Sequence, residues 1–135
     1  MTIAQWKSKG IFFRHKGHSI FYVEEGQGDV LLLIHGFPTS SWDWVKIWPT
    51  LTKYYRVIAL DMIGFGYSAK PVKYKYTIFD QADIHEELLE YLGIGNCAVL
   101  SHDYGDTVVQ ELVARSNEGK LSFMIKKICL SLIQI

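Results

Sequence analysis

Three short runs that are apolar apart from Arg56 constrain the fold of this chain more than any other feature. They are Val30–Ile34, Arg56–Leu60 and residues 97–100. A strand without polar alternation is typical of a sheet that is covered on both faces. Amphipathic helical patterns span residues 77–92 and 105–114. Buried strands that alternate with helices predict an α/β fold, a mostly parallel sheet flanked by helices.

Weaker patterns complete the predicted architecture. Residues 11–14 and 19–24 favour a hairpin at one edge of the sheet. Ser40 or Ser41 can cap a helix, which Pro49 limits or bends. Residues 125–132 favour a last strand. In such a sheet, ligands bind beyond the carboxyl ends of the strands.

Composition excludes several classes of function. The chain has 135 residues and no linker or repeat, so we expect one domain, residues 1–135. Its formal net charge is zero, which gives no electrostatic basis for binding nucleic acid or an anionic membrane. No apolar stretch is long enough to span a membrane, and the first ten residues lack a signal-peptide core, so we expect a cytoplasmic protein. Cys97 and Cys129 lie in apolar runs and are predicted to be buried thiols without metal-ligand spacing.

The segment 99–106, Val-Leu-Ser-His-Asp-Tyr-Gly-Asp, passes directly from a predicted strand into a predicted helix. Ser101 and Gly105 are small and flank Asp103 at a distance of two residues, the pattern of a strained turn that carries a nucleophile. Amides at the start of the helix favour a carboxylate there. Asp103 could instead serve only as a helix N-cap. Ser101 is a weaker candidate nucleophile, because Val99 is too large for the preceding small position.

Two further loops follow the other buried strands. His35-Gly36-Phe37-Pro38 comes after the first, and Asp61-Met62-Ile63-Gly64-Phe65-Gly66-Tyr67-Ser68 comes after the second. The second loop lacks the G-x-x-x-x-G-K pattern of a phosphate-binding loop. Three such segments at successive strand ends favour a common site and argue against a simple N-cap at Asp103.

Together these motifs resemble the α/β-hydrolase superfamily, in its epoxide hydrolase-like branch. The resemblance spans roughly residues 6 to 130. It implies that Asp103 attacks a small apolar organic substrate, an epoxide or a related compound, to form an ester, without a metal or cofactor. The backbone amides of Phe37 and Tyr104 would bind the oxyanion formed when water attacks that ester. The same resemblance gives supporting positions to His35, which would be a structural hydrogen-bonder, and to Gly36, Pro38 and His102, and it allows a cis Phe37–Pro38 peptide bond.

The chain departs from the branch at two positions. Tyr104 stands where epoxide hydrolases and many dehalogenases have tryptophan, and Phe37 stands where well-known haloalkane dehalogenases have asparagine. Both departures weaken a dehalogenase interpretation. A cofactor-free oxygenase or C–C bond hydrolase of this fold is a further alternative, which Asp103 disfavours.

The resemblance also implies parts that this sequence does not contain. They are a helical cap inserted after the sixth strand, an acid, and a histidine base after the last strand. We therefore expect an N-terminal part of the fold that ends near the sixth strand and is inactive alone. His85 is predicted to be solvated on an acidic helix face, and none of the histidines matches the base: His15, His18, His35, His85 and His102. The alternative is a non-catalytic interaction protein that self-associates through its apolar edge, residues 128–135.

Overall fold

A computed structural model gives the architecture, and it describes residues 1–131. Six strands form one sheet in the order β1-β2-β4-β3-β5-β6. Strands β1, β2 and β4 pair antiparallel, whereas β4, β3, β5 and β6 are parallel. The elements are α1 (Ile3–Lys9), β1 (Ile11–His15), β2 (His18–Glu25), β3 (Val30–Ile34), a 3₁₀ turn (Ser41–Trp44), α2 (Trp48–Leu51), β4 (Arg56–Leu60), α3 (Ile78–Tyr91), β5 (Asn96–His102), α4 (Tyr104–Asn117) and β6 (Met124–Ser131). The predicted α/β fold with a mostly parallel sheet is confirmed.

The central strands are buried on both faces, which explains their apolar character. In β3, Leu32 and Ile34 point into the cluster formed with α3 and α4, whereas Leu31 and Leu33 point into a second cluster with Trp6 and other tryptophans. Successive side chains of a strand alternate between faces, so each face needs its own apolar set. These two layers hold the carboxyl ends of β3, β4 and β5 in fixed relative positions.

Helix α1 was not predicted from the sequence. It begins with a capping box, in which the Thr2 side chain accepts from the amide of Gln5 and the Gln5 side chain accepts from the amide of Thr2. Trp6 anchors the helix, because its ring is buried and its Nε1 donates to Ser41 Oγ at 3.1 Å. The Thr-x-x-Gln spacing was the available signal for this helix.

The predicted helix after Ser40 is two short pieces. Ser40 caps the 3₁₀ turn by accepting from the amide of Trp42, and Pro49 lies in the first turn of α2. The predicted strand 125–132 begins one residue earlier, and its last residue lies outside the described range. Within residues 1–131, no helix has the length and apolar character needed to cross a membrane.

Two predictions about burial were wrong. His85 is fully buried, because it lies on the same face of α3 as Leu88 and Leu89, which packs into the core, and not on the acidic face of the helix. Its Nδ1 donates to the carbonyl of Gln81 at 2.8 Å, and burial lowers the pKa of His85 to about 4. Cys129 is exposed, because β6 is the edge strand of the described sheet, whereas Cys97 is buried as predicted.

Candidate active site

The three predicted loops meet beyond the carboxyl ends of neighbouring strands. Asp103 follows β5, the segment from His35 to Pro38 follows β3, and Asp61 follows β4. Because β3 pairs with both β4 and β5, the loop that contains Gly36 lies between the other two. The fold therefore brings together loops that lie far apart in the chain; Phe37 and Asp103, for example, are 66 residues apart.

Asp103 occupies the tight turn between β5 and α4. Its backbone angles are φ 53° and ψ −126°, a conformation that L-residues rarely adopt and that stores strain. A Cβ atom on Gly105 would lie 2.4 Å from the carbonyl oxygen of Ile34, and one on Gly36 would lie 2.6 Å from the Cβ of Asp103. Both glycines are needed because the two loops approach each other so closely.

The Asp103 carboxylate is held by backbone amides. The amide of Phe37 donates to Asp103 Oδ2 at 2.9 Å. Hydrogen bonds from the amides of Phe37 and Tyr104 lower the pKa of Asp103, and His102 contributes a smaller lowering. Tyr104 is the first residue of α4, and the side chain of Asp103 makes no capping hydrogen bond further into that helix. Asp103 is thus an ionised carboxylate that is hydrogen-bonded by the two amides that the sequence singled out, with the amide of Phe37 on Oδ2.

His35 lies buried beneath this loop. Its Nδ1 contacts the carbonyl of Gly36 at 2.8 Å, and the amide of Met62 donates to its Nε2 at 3.0 Å. These partners require a proton on Nδ1 and none on Nε2, and burial lowers the pKa of His35. The ring ties the loop after β3 to the loop after β4. The Phe37–Pro38 peptide bond is cis, as the sequence analysis allowed.

The loop from Asp61 to Ser68 closes on its own aspartate. Asp61 is buried, and its two carboxylate oxygens accept from the amides of Ser41 and Tyr67, each at 2.8 Å. Gly66 has φ +54°, and a Cβ there would lie 2.1 Å from Asp61 Oδ2. The glycines therefore allow a tight turn around a carboxylate, and the loop has a structural explanation without phosphate.

A pocket of about 430 Å³ opens beside Asp103. One wall carries Asp43, whose Oδ2 lies 3.0 Å from His102 Nε2 and also accepts from the hydroxyl of Thr39. Next to the pocket, the ring of Phe65 packs against the rings of Phe37 and Tyr104, with centroid distances of 6.0 and 6.3 Å. Asp43 and Phe65 were not predicted as site residues, since their proximity depends on loop conformations that no sequence pattern encodes.

The remaining candidates have other contacts. Ser101 is buried and its Oγ donates to Asp106 Oδ1 at 2.6 Å, so the hydroxyl braces the first turn of α4. His102 uses Nε2 for Asp43, and its Nδ1 is buried without a partner among residues 1–131. Within that same range, His, Cys, Asp and Glu side chains form no group of three or more that could hold a metal ion.

Comparison with known proteins identifies the family. Residues 29–122 match the family described as the alpha/beta hydrolase fold. The mesoderm-specific transcript protein of Mus musculus is 51% identical over 140 aligned residues, which cover 96% of this chain and 41% of that protein. The soluble epoxide hydrolase of Corynebacterium sp. (strain C12) is 37% identical over 95 residues, which cover 68% of this chain and 32% of that enzyme. The chain belongs to the α/β-hydrolase family.

Solved structures agree with this assignment. A loop variant of a haloalkane dehalogenase from Bradyrhizobium elkanii superposes with a TM-score of 0.79 at 31% identity, covering 90% of this chain and 39% of the enzyme. This chain therefore spans about two fifths of the length of the relatives it matches. Epoxide hydrolases and haloalkane dehalogenases are both among its homologues, and the predicted resemblance to the epoxide hydrolase-like branch of the α/β-hydrolase superfamily is confirmed.

Proposed function

We propose that this chain carries the nucleophile and the oxyanion-binding amides of an epoxide hydrolase-like active site, with Asp103 as the nucleophile. One observation carries the proposal. The carboxylate of Asp103 stands on a strained turn at the edge of a pocket, and its Oδ2 accepts the amide of Phe37 at 2.9 Å. A carboxylate that served only to cap α4 would bond to amides of that helix alone, whereas this one also accepts the amide of Phe37 from the loop after β3.

In the first step, Asp103 Oδ1 attacks a saturated carbon of an epoxide. A C–O bond forms between the carboxylate and that carbon, the strained C–O bond of the epoxide breaks, and the epoxide oxygen leaves as an alkoxide that takes a proton from water. The product is an ester of Asp103 that bears a neighbouring hydroxyl group. Because amides lower the pKa of Asp103, the attacking group is ionised at neutral pH without assistance from a base.

In the second step, water would attack the Cγ carbon of the ester. Negative charge then develops on Oδ2, which already accepts the amide of Phe37, and the amide of Tyr104 also hydrogen-bonds this carboxylate. The water needs a base, and the buried histidines direct their ring nitrogens elsewhere. His15 contacts Glu87 and Asp80, His35 contacts backbone groups, His85 donates to the carbonyl of Gln81, and His102 contacts Asp43. We therefore expect residues 1–135 to form the ester and not to hydrolyse it at a useful rate.

The test is covalent capture followed by intact-mass measurement. Purified protein is incubated with several small epoxides of different size. Cys129 is exposed and would also be alkylated, so the measurement uses the Cys129→Ser background. We expect one adduct with the mass of one epoxide, which hydroxylamine removes because it is an ester.

Two matched variants make the result specific. Asp103→Asn keeps the shape of the side chain and removes the nucleophile, so the adduct should be lost. Asp29→Asn removes an exposed acid elsewhere and should leave the adduct unchanged. An adduct that persists in Asp103→Asn, or the absence of an adduct with every epoxide, would contradict the proposal.

A second proposal, self-association through β6, rests on a separate observation. The strand lies at the end of the described sheet, and Ile128 and Leu130 are 43% and 42% exposed. An edge strand that exposes apolar side chains and an open backbone edge is a template for pairing with another chain. Light scattering coupled to size exclusion should show mass above that of a monomer, and Ile128→Lys with Leu130→Lys should return it to a monomer. Val72→Lys, at a residue that is 96% exposed elsewhere, is the control. A monomer in the native protein would contradict this proposal.

A further inference from the structure

We propose that Asp43 is a specificity-determining residue of the pocket and directs it towards substrates that carry a cationic group, such as a quaternary ammonium. This inference deepens the proposed function, since it concerns the pocket in which Asp103 would react. It rests on the position of a second carboxylate in that pocket, its fixed orientation and the aromatic side chains beside it.

The carboxylate of Asp43 is fixed in place. Its Oδ2 accepts a hydrogen bond from the hydroxyl of Thr39 and also contacts His102 Nε2 at 3.0 Å, so two side chains hold the same oxygen. The side chain keeps 19% of its surface exposed, whereas that of His102 keeps 11%. Asp43 lines the pocket together with Asp103. A carboxylate held in this way presents negative charge to the pocket without the entropic cost of ordering it on binding.

Aromatic side chains line the pocket beside these carboxylates. Phe37 is 65% exposed and contributes an apolar face, and Trp42 lies next to Asp43 in the chain and also lines the pocket. An anion combined with aromatic faces is the chemistry that recognises quaternary ammonium groups, which donate no hydrogen bonds and need only charge and apolar contact. A purely apolar substrate would have to desolvate Asp43 without compensation.

Two side chains that can carry positive charge line the pocket, Lys46 and His102. Lys46 lines it, but its side chain belongs to an exposed residue, so solvent screens the ammonium. The ring of His102 is already paired with Asp43. Two carboxylates therefore face one exposed ammonium when His102 is neutral, and the pocket keeps a negative bias. Removal of Lys46 should strengthen that bias.

A pair of epoxides with the same shape tests the inference through reaction. Glycidyltrimethylammonium carries the cation, and 2-(2,2-dimethylpropyl)oxirane replaces its nitrogen with carbon. The ratio of their adduct-formation rates at Asp103 is measured in the Cys129→Ser background and in the same background with Asp43→Asn. Intrinsic reactivity cancels between the two proteins, so the ratio should fall about tenfold in Asp43→Asn. It should rise in Lys46→Gln and stay unchanged in Asp29→Asn, whose acid is exposed elsewhere.

An unreactive pair gives a readout that does not depend on Asp103. Choline and its neutral isostere 3,3-dimethylbutan-1-ol are titrated against the isotope-labelled protein, and binding is followed by NMR at the Trp42 indole. We expect tighter binding of choline, with the preference lost in Asp43→Asn and weakened by added salt. Equal binding of the two probes, or a preference that survives Asp43→Asn, overturns the inference. A choline preference that depends on Asp43, together with no adduct from any epoxide, would support the role of Asp43 and contradict the proposed nucleophile.

Discussion

Two aspartates stand at the ends of buried strands in this molecule, and their surroundings differ in a way that defines the site. Asp61 follows β4, is 1% exposed, and has each carboxylate oxygen occupied by a backbone amide. Asp103 follows β5 on a strained turn, lines the pocket, and accepts the Phe37 amide on Oδ2. Asp61 organises a loop, whereas Asp103 presents its carboxylate at the edge of the pocket.

The difference shows which surroundings give an aspartate a structural role and which leave its carboxylate available for a reaction. A carboxylate with both oxygens buried against amides stabilises the fold and is shielded from any substrate. A carboxylate held on a strained backbone beside a cavity contributes little to stability, and its geometry is retained because the surrounding structure enforces it. Gly66 serves the first arrangement and Gly36 and Gly105 serve the second, because each glycine permits an otherwise impossible close approach.

The largest effect is expected for Asp61→Ala. The amides of Ser41 and Tyr67 would lose their acceptor, and two unsatisfied donors should lower the free energy of unfolding by about 3 kcal/mol. Urea unfolding at neutral pH measures this value. Asp29→Ala, at an exposed position, should change it by less than about 0.5 kcal/mol. A loss below about 1 kcal/mol for Asp61→Ala would show that the loop does not depend on its carboxylate.

A somewhat smaller loss is expected for Gly105→Ala. The new Cβ would collide with the backbone carbonyls of Ile34 and His35, and relief of that clash should cost about 2 kcal/mol. Gly95→Ala is the matched control, since a Cβ there meets open space. Equal stability of the two variants in urea unfolding would contradict the close packing of the turn against β3.

Asp103→Ala should change stability by less than about 1 kcal/mol. The residue keeps the same strained backbone, and the Phe37 amide is accessible to water, which can replace the lost acceptor. The comparison with Asp61→Ala is made in the same unfolding experiment. Equal losses at the two positions would mean that Asp103 is a structural carboxylate, and the distinction drawn between them would fail.

The smallest effect is the pH dependence of ester formation. Amide hydrogen bonds lower the pKa of Asp103 below its ordinary value of 3.8, so the carboxylate stays ionised and reactive as the pH falls. The rate of adduct formation should therefore be flat between pH 7 and pH 5, with folding monitored by circular dichroism. A rate that falls with a midpoint within this interval would assign the reaction to a group other than Asp103.

The sequence was most informative where local pattern and burial agree. Strands β3 and β4 have the predicted bounds, because the residues of a strand that is buried on both faces are apolar on both sides of the sheet, and only Arg56 at the start of β4 is charged. The small residues around Asp103 identified the turn, because only small side chains fit its close contacts. The family resemblance predicted that the amide of Phe37 lies near Asp103. No spacing rule predicts this contact, because the two residues are 66 positions apart in the chain.

The sequence predictions that were wrong concern the burial of His85 and of Cys129. His85 lies on the buried face of α3 together with Leu88 and Leu89, whereas the acidic residues of the helix lie on the opposite and more exposed face, so the helical periodicity itself indicated that His85 is buried. The exposure of Cys129 depends on what covers β6, and the contact between Asp43 and His102 joins residues that are 59 positions apart. No local sequence pattern encodes either feature. The predicted apolar edge at residues 128–135 lies only partly within the described residues, and its pairing stays a prediction.

The central claim is tested most directly by locating the adduct in the chain. Cys129→Ser protein is treated with a reactive epoxide, digested and mapped by tandem mass spectrometry. The account predicts an ester on Asp103, none on the buried Asp61, and complete loss of the Asp103 ester in Asp103→Asn. An ester on Asp61, modification confined to other residues, or no modification with any epoxide would contradict the assignment of Asp103 as the nucleophile.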